Sequence, residues 1–247
     1  PGFQADFVVL DNLQDLNVTD VFYKGKLVDR NAPIRVKTCG RALKHTVHLD
    51  KVKAEQFVLP IGKKKTHVIG INPSQITTED LAVSLQPAAN YVPTDGYSKV
   101  AAVERHHNTG KIGVAVAKGH GIRNGAVASS VSHDSHNIIV IGDNDRDMAL
   151  AVDEIIRTQG GYTVVENSEV FETLPLPIMG LMSDAGFESV NETLGRMIKK
   201  AHEMGVPADI EPFITLSFLA LPVIPTLRIT PRGLCLLTAK GPEILQE

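Results

Sequence analysis

Asn137-Ile-Ile-Val-Ile-Gly-Asp-Asn-Asp-Arg-Asp-Met-Ala-Leu-Ala-Val-Asp-Glu-Ile-Ile-Arg-Thr-Gln-Gly-Gly-Tyr-Thr-Val-Val165 decides the fold class. Its apolar opening run reads as a strand. Met148, Ala151, Val152, Ile155 and Ile156 then fall at i, i+3, i+4, i+7 and i+8, the single apolar stripe of a helix. Asp143, Asp145 and Asp147 crowd the start of that helix, where the macrodipole favours carboxylates and Asp143 or Asn144 can cap. Gly160-Gly161 supplies the stop, and Thr163-Val164-Val165 a second strand. Such a strand–helix–strand unit predicts a parallel crossover.

Upstream, Lys65–Ile71 alternates apolar and polar residues as a half-buried strand does. Lys99–Val103, Ile112–Ala117, Ala126–Val131 and Asn137–Ile141 are further strands, separated by glycine-bearing turns at 108–110, 119–121 and 124–125. Downstream, Val190, Leu194, Met197, Ile198 and Ala201 form the stripe of a helix over Glu188–Met204, ended by Gly205 and Pro207. The final strands are read at Ile214–Leu219 and Leu234–Leu237, and the apolar stretch Phe213–Leu227 is expected to be a buried strand or extended core segment. At the other end of the chain, Phe7–Leu10 reads as a buried strand. Val18–Tyr23 and Lys26–Val28 flank a tight turn at Lys24-Gly25, making a β-ribbon that needs a partner sheet. Residues 31–45, with Pro33, Cys39 and Gly40, read as a connecting segment. The expectation is an α+β, mixed α/β chain: a short β-ribbon domain over 1–38, then a mixed-sheet domain over 46–247.

Composition narrows the function. The 247 residues carry 25 Lys+Arg against 28 Asp+Glu, a net charge of −3, with 43% hydrophobic residues. A core can be buried, and no basic footprint for nucleic acid or an anionic membrane exists. The two cysteines, Cys39 and Cys235, make no disulfide scaffold and no Cys-x-x-Cys zinc pair. No signal peptide is visible, and Phe213–Leu227, broken by Pro222 and Pro225, is too short to span a bilayer. A cytoplasmic setting is expected.

Four segments place polar residues beside strand or helix ends. Glu104-Arg105-His106-His107-Asn108-Thr109-Gly110 leaves a strand for a glycine turn; it can bind an anion or a metal, or simply hold a Glu–Arg pair with exposed histidines. Ser132-His133-Asp134-Ser135-His136-Asn137 offers three potential ligands in six residues, suited to a metal or a proton relay and more than a polar turn needs. It is not itself a Ser–His–Asp triad, because neighbours along an extended chain point in different directions. Asp143–Asp147 lacks the glycine of a calcium loop and reads as helix capping. Leu174-Pro-Leu-Pro-Ile-Met-Gly-Leu-Met-Ser-Asp184 either walls a pocket or another domain, or crosses the core as an ordinary loop. There is no P-loop, no dinucleotide fingerprint, no His-Glu-x-x-His and no cytidine-deaminase zinc signature.

Glu104-Arg105-His106 followed by Thr109-Gly110, then Ala128–Val140, Leu174–Pro177, Gly180–Ser183 and Phe213–Pro225, resemble the C-terminal domain of bacterial adenine deaminase. Pro1–Asp11 is similar to the post-barrel return strand of the amidohydrolase superfamily. The resemblance implies a homo-oligomeric enzyme of purine salvage that hydrolyses adenine to hypoxanthine and ammonia on a manganese or iron centre in a (β/α)₈ barrel. This sequence has no His-x-His and no eightfold strand–helix repeat. The barrel is therefore expected upstream, with no barrel ligand, metal or cofactor assigned to this chain and no deaminase activity from it alone. Glu104, Arg105, His106, His133, Asp134, His136 and Asn137 are the candidate residues facing the active site. The alternatives are a non-catalytic folding or oligomerisation module, and an independent metal site of His106, His133 and His136.

Overall fold

The computed structural model describes residues 1–32, 39–62, 64–94 and 96–245. The chain divides into two units, Pro1–Thr38 and Cys39–Glu247. Pro33, part of the predicted connecting segment, lies outside the described residues.

The first unit is an antiparallel ribbon of β1 (Phe7–Leu10), β2 (Val18–Tyr23) and β3 (Lys26–Leu27). Lys24 and Gly25 both have positive φ, as a two-residue hairpin turn requires, and Asp6 accepts the Lys24 amide at 2.6 Å. Phe7 and Phe22 stack at 4.6 Å across the strands. The expectation that Phe7–Leu10 is buried is corrected: the strand forms, but Phe7 stays 49% and Val8 53% exposed. Three short strands cover no face of their own.

The second unit is built on one eight-stranded sheet. Its strands are β4 (Thr66–Ile71), β5 (Thr78–Val83), β6 (Tyr97–Val103), β7 (Ile112–Lys118), β8 (Gly125–Ser129), β9 (Ile138–Gly142), β10 (Gly161–Glu166) and β11 (Glu169–Pro175). They lie in the order β11-β10-β8-β9-β6-β7-β4-β5, with every neighbouring pair antiparallel except β4 and β7. Helix α1 (Asp145–Thr158) links β9 to β10. These two strands run in the same direction, as the predicted crossover requires, but β8 sits between them.

Both faces of the sheet are covered. Ala101, Val103, Ile138 and Val140 pack with Met148, Val152 and Ile155 of α1, while Val100, Ala102, Ile139 and Ile141 face the opposite layer. That layer holds α2 (Phe187–Glu203), α3 (Ile214–Leu219) and a small antiparallel sheet of β12 (Leu227–Thr230), β13 (Gly233–Thr238) and β14 (Gly241–Ile244). Gly113 permits the close seating of that sheet on β7, since an added Cβ would lie 2.0 Å from the Thr230 carbonyl.

Ile214–Leu219 is helical, which corrects the strand expected there. The Glu211 carboxylate accepts the amides of Phe213, at 2.9 Å, and Ile214, satisfying donors that a helix start leaves free. Phe213, Leu216, Leu219 and Ala220 then reach the core at helical spacing. Among the described residues no helix is long and apolar enough to cross a membrane.

A buried cation anchors one end of the sheet. Lys99 of β6 is 1% exposed, and its ammonium donates to Asp145 Oδ1 at 2.6 Å, Asn90 Oδ1 at 2.6 Å and the Phe57 carbonyl at 3.0 Å. Asn90 in turn donates to Asp145 Oδ2 at 2.7 Å. Burial lowers the Lys99 pKa more than Asp145 restores it. Asn144, not Asp145, caps α1, accepting the Asp147 amide at 2.8 Å. Removing one partner of a buried pair strands the other charge. Asp145→Ala is therefore expected to lower unfolding free energy by about 3–5 kcal/mol. In urea titrations Lys99→Met, which leaves a partly solvated carboxylate, is expected to cost less.

Candidate functional site

β6 and β9 are antiparallel neighbours with Val103 opposite Ile138, so the segment leaving β6 and the segment entering β9 meet at one end of the sheet. That end, opposite Lys99, carries all seven candidate residues. β10 starts and β11 finishes there too, bringing in the Leu174–Asp184 segment. Asp143–Asp147 lies at the other end, where Asp143 accepts the amides of Asn124 and Gly125.

Arg105 joins these segments. It is 2% exposed, and its guanidinium donates to the carbonyls of His136, Thr46 (3.2 Å) and Met179 (3.0 Å) and to the Thr46 hydroxyl (3.3 Å). Its own amide donates to Asn137 Oδ1 at 3.3 Å, and its carbonyl accepts the His48 amide at 2.7 Å. Each side-chain acceptor is uncharged, and burial pulls the pKa down to about 10. Gly180 allows the approach: its φ is +71°, and a Cβ would lie 2.6 Å from Nη1. Ser130 fixes the same strap, donating to the Gly180 carbonyl at 2.6 Å while accepting the Gly161 amide at 2.8 Å.

Glu104 makes no pair with Arg105, which corrects the pair weighed from sequence. Neighbours leaving a strand point to opposite sides. The Glu104 carboxylate instead accepts the amides of His106, His107 (3.0 Å) and Thr109 (3.2 Å) and the Thr109 hydroxyl (3.0 Å), closing its own turn. Burial would raise its pKa, but these donors outweigh burial and hold it below the ordinary carboxylate value.

The loop between β8 and β9 holds the remaining candidates. His136 donates its amide to the Ser132 carbonyl at 2.6 Å, and its Nδ1 accepts the Ser132 amide at 3.4 Å, closing a turn that carries His133. The His133 amide bonds the Ser217 carbonyl of α3 at 3.1 Å, and its ring packs 5.0 Å from Phe218 and 6.3 Å from His136. His106 Nε2 donates to the Ser135 carbonyl at 2.8 Å, tying the two loops together. Asp134 points to solvent, 3.5 Å from His133 Nδ1. Burial, then repulsion from Arg105 and His133, lowers the His136 pKa. The lowered pKa favours the neutral ring, and the Ser132 amide makes Nδ1 the acceptor, leaving the ring proton to Nε2.

A small apolar cavity of about 80 Å³ opens beside this loop, between Ala102, Asn137, Ala220 and Ile229. Leu43, Met179, Met182 and Phe187 are exposed, and the Met179 amide donates to the Leu43 carbonyl. The three-histidine metal site is not assembled: His106 Nε2 faces a carbonyl and His136 Nδ1 faces an amide hydrogen. Among the described residues no three His, Cys, Asp or Glu side chains converge to hold a metal ion. Sequence reasoning missed Thr46, which Arg105 meets through its carbonyl and hydroxyl, and saw Ser130 and Phe218 only inside longer motifs. Gly180 was visible only as part of a motif.

Fold and site together define a three-layer α+β domain whose polar chemistry gathers at one end of its sheet, around a buried arginine. Residues 75–240 match the model of the adenine deaminase C-terminal domain, and the chain belongs to that family. It is 50% identical over 236 residues to an adenine deaminase of Desulfitobacterium hafniense (strain Y51), covering 95% of this chain and 41% of that protein. Adenine deaminases of Nitratidesulfovibrio vulgaris (strain DP4) and Clostridium acetobutylicum are 45% and 39% identical, each with 42% of its length covered. The chain thus spans about two-fifths of the length of these curated relatives.

The shifts at Glu104 and His136 predict an acid limb of stability. Both folded pKa values lie below the ordinary ones, so the unfolded chain binds more protons as pH falls. The stabilisation is complete above the unfolded values, about 6.5 for His and 4.3 for Glu, and is lost as pH drops through the folded ones. Glu104→Gln is expected to be less stable than the parent at pH 7, with the gap closing below pH 4 in denaturant titrations.

Proposed function

We propose that this chain is the C-terminal part of an adenine deaminase, which converts adenine and water to hypoxanthine and ammonia, and that its Arg105 end faces the deaminating centre. The observation that carries this reading is the convergence of Glu104–His106, His133–Asn137 and the 174–184 strap on one buried guanidinium, within a chain that matches adenine deaminases along 95% of its length. There His133 and His136 would exclude water, orient the purine or pass a proton. The exposed Leu43, Met179, Met182 and Phe187 would meet the upstream (β/α)₈ barrel or a second subunit; they also favour the assembly role as a second reading.

The metal implied by the family resemblance, manganese or iron, finds no fitting donor set among the described residues. It belongs in this reading to the upstream barrel, and no part of its chemistry is assigned to this chain. A cytoplasmic oligomer is the setting proposed.

Two measurements test the reading. The purified 247-residue chain is expected to release no ammonia from adenine, whereas the protein including the upstream barrel does. In that longer protein, His133→Ala and His136→Ala are each expected to lower kcat/KM about 10²-fold with metal content unchanged. Parent-like turnover in both variants rejects an active-site role and leaves the assembly role. That second role predicts that Met182→Lys or Phe187→Lys changes the sedimentation coefficient.

A further inference from the structure

Burying a guanidinium without a carboxylate is costly, and well-packed apolar residues would stabilise the fold as well or better. Among the described residues, every acceptor of the Arg105 side chain is neutral, and each lies on a segment converging on the candidate site. Its amide also holds Asn137, so both ends of the His136–Asn137 step are fixed by one residue. The turn back to Ser132 transmits that constraint to His133, whose other side rests on Ser217 and Phe218 of α3. Arg105 itself is buried, with its guanidinium committed to backbone carbonyls and the Thr46 hydroxyl.

We propose that Arg105 is a positioning residue that sets the orientation of His133 and His136 for deamination, acting through the backbone of the 132–137 loop and the Met179–Gly180 strap. This rests on the reading that the two histidines face the deaminating centre. A planar fork of N–H donors reaches three segments at once, and a lysine ammonium on a flexible stem does not reproduce that fork. The charge has a second consequence at His136. Burial acts first on that ring; of the groups facing it, Arg105, His133 and His106 disfavour its protonation and Asp134 favours it.

The test uses the protein that includes the upstream barrel, with thermal unfolding as the fold control. Arg105→Lys is expected to lower kcat about tenfold or more at unchanged KM, because a small displacement of a positioned group slows chemistry without loosening binding. Thr46→Val, which deletes one neutral partner and leaves the fold intact, is expected to lower kcat about two- to fivefold. It carries the test alone if Arg105→Lys does not fold. Site-resolved modification of histidines by diethyl pyrocarbonate across pH gives an independent readout. The His136 midpoint is expected below the ordinary imidazole value in the parent and in Arg105→Lys, and to move upward in Arg105→Gln. If His133→Ala and His136→Ala keep parent kcat and KM, the reading beneath the proposal falls. If those variants are impaired while folded Arg105→Lys and Thr46→Val retain parent kcat, or if the His136 midpoint ignores Arg105→Gln, the positioning role is overturned by itself.

Discussion

A guanidinium shut away from water must find an acceptor for its N–H groups, and the functional end of this domain is organised by that requirement. Arg105 leaves β6 at the end of the large sheet where β6, β8 and β11 finish and β7, β9 and β10 start, and it takes carbonyl oxygens from three stretches of chain far apart in sequence. Each stretch is irregular, so its carbonyls would otherwise need water or one another. One side chain supplies those donors, and three loops that would move independently become a single surface. Gly180 and Ser130 complete the arrangement, the glycine by leaving room for the guanidinium and the serine by holding the glycine's carbonyl.

The chemistry gathers at strand ends because the middle of the sheet has no room for it. Helix α1 covers one face, and α2, α3 and the β12–β14 sheet cover the other, so neighbouring residues of β6 and β9 are buried on alternate sides. Strands of this kind read as unbroken apolar runs, which is why Val100–Val103 and Ile138–Ile141 were legible in the sequence. The edge strands were not: β5 carries exposed Glu79 and Asp80, β11 carries Glu169, Glu172 and Thr173, and no apolar run marks either. The misread helix α3 shows a different limit. Six residues, four of them apolar, fit a strand or one and a half helical turns equally well, and the deciding contact, Glu211 on the amides of Phe213 and Ile214, starts from a charged residue ahead of the apolar stretch.

The candidate site was legible as a list of side chains and illegible as a set of contacts. All seven expected residues lie at one end of the sheet, since β6 and β9 pair and their outer ends coincide. Their relations were not readable. Glu104 and Arg105 are adjacent in sequence yet serve different segments, and His106 and His136 offer ring nitrogens to backbone groups, not to one another. A backbone carbonyl has no letter in the sequence, so an arginine held mainly by carbonyls looks like any other arginine until the fold is known.

β6 carries a buried cation at each end, and the two are neutralised differently. Lys99 meets the carboxylate of Asp145 and a ring of hydrogen bonds, so that end of the strand presents no uncompensated charge. Arg105 meets only dipoles, and its charge remains in the local field. Burial lowers the His136 pKa most, and that field adds to it by disfavouring a second positive charge there. A neutral imidazole keeps both an acceptor and a donor nitrogen. The same buried charge that fixes the backbone of the loop therefore also reinforces what burial does to the side chain the loop displays, so geometry and acid–base character at this end of the sheet are coupled through one residue.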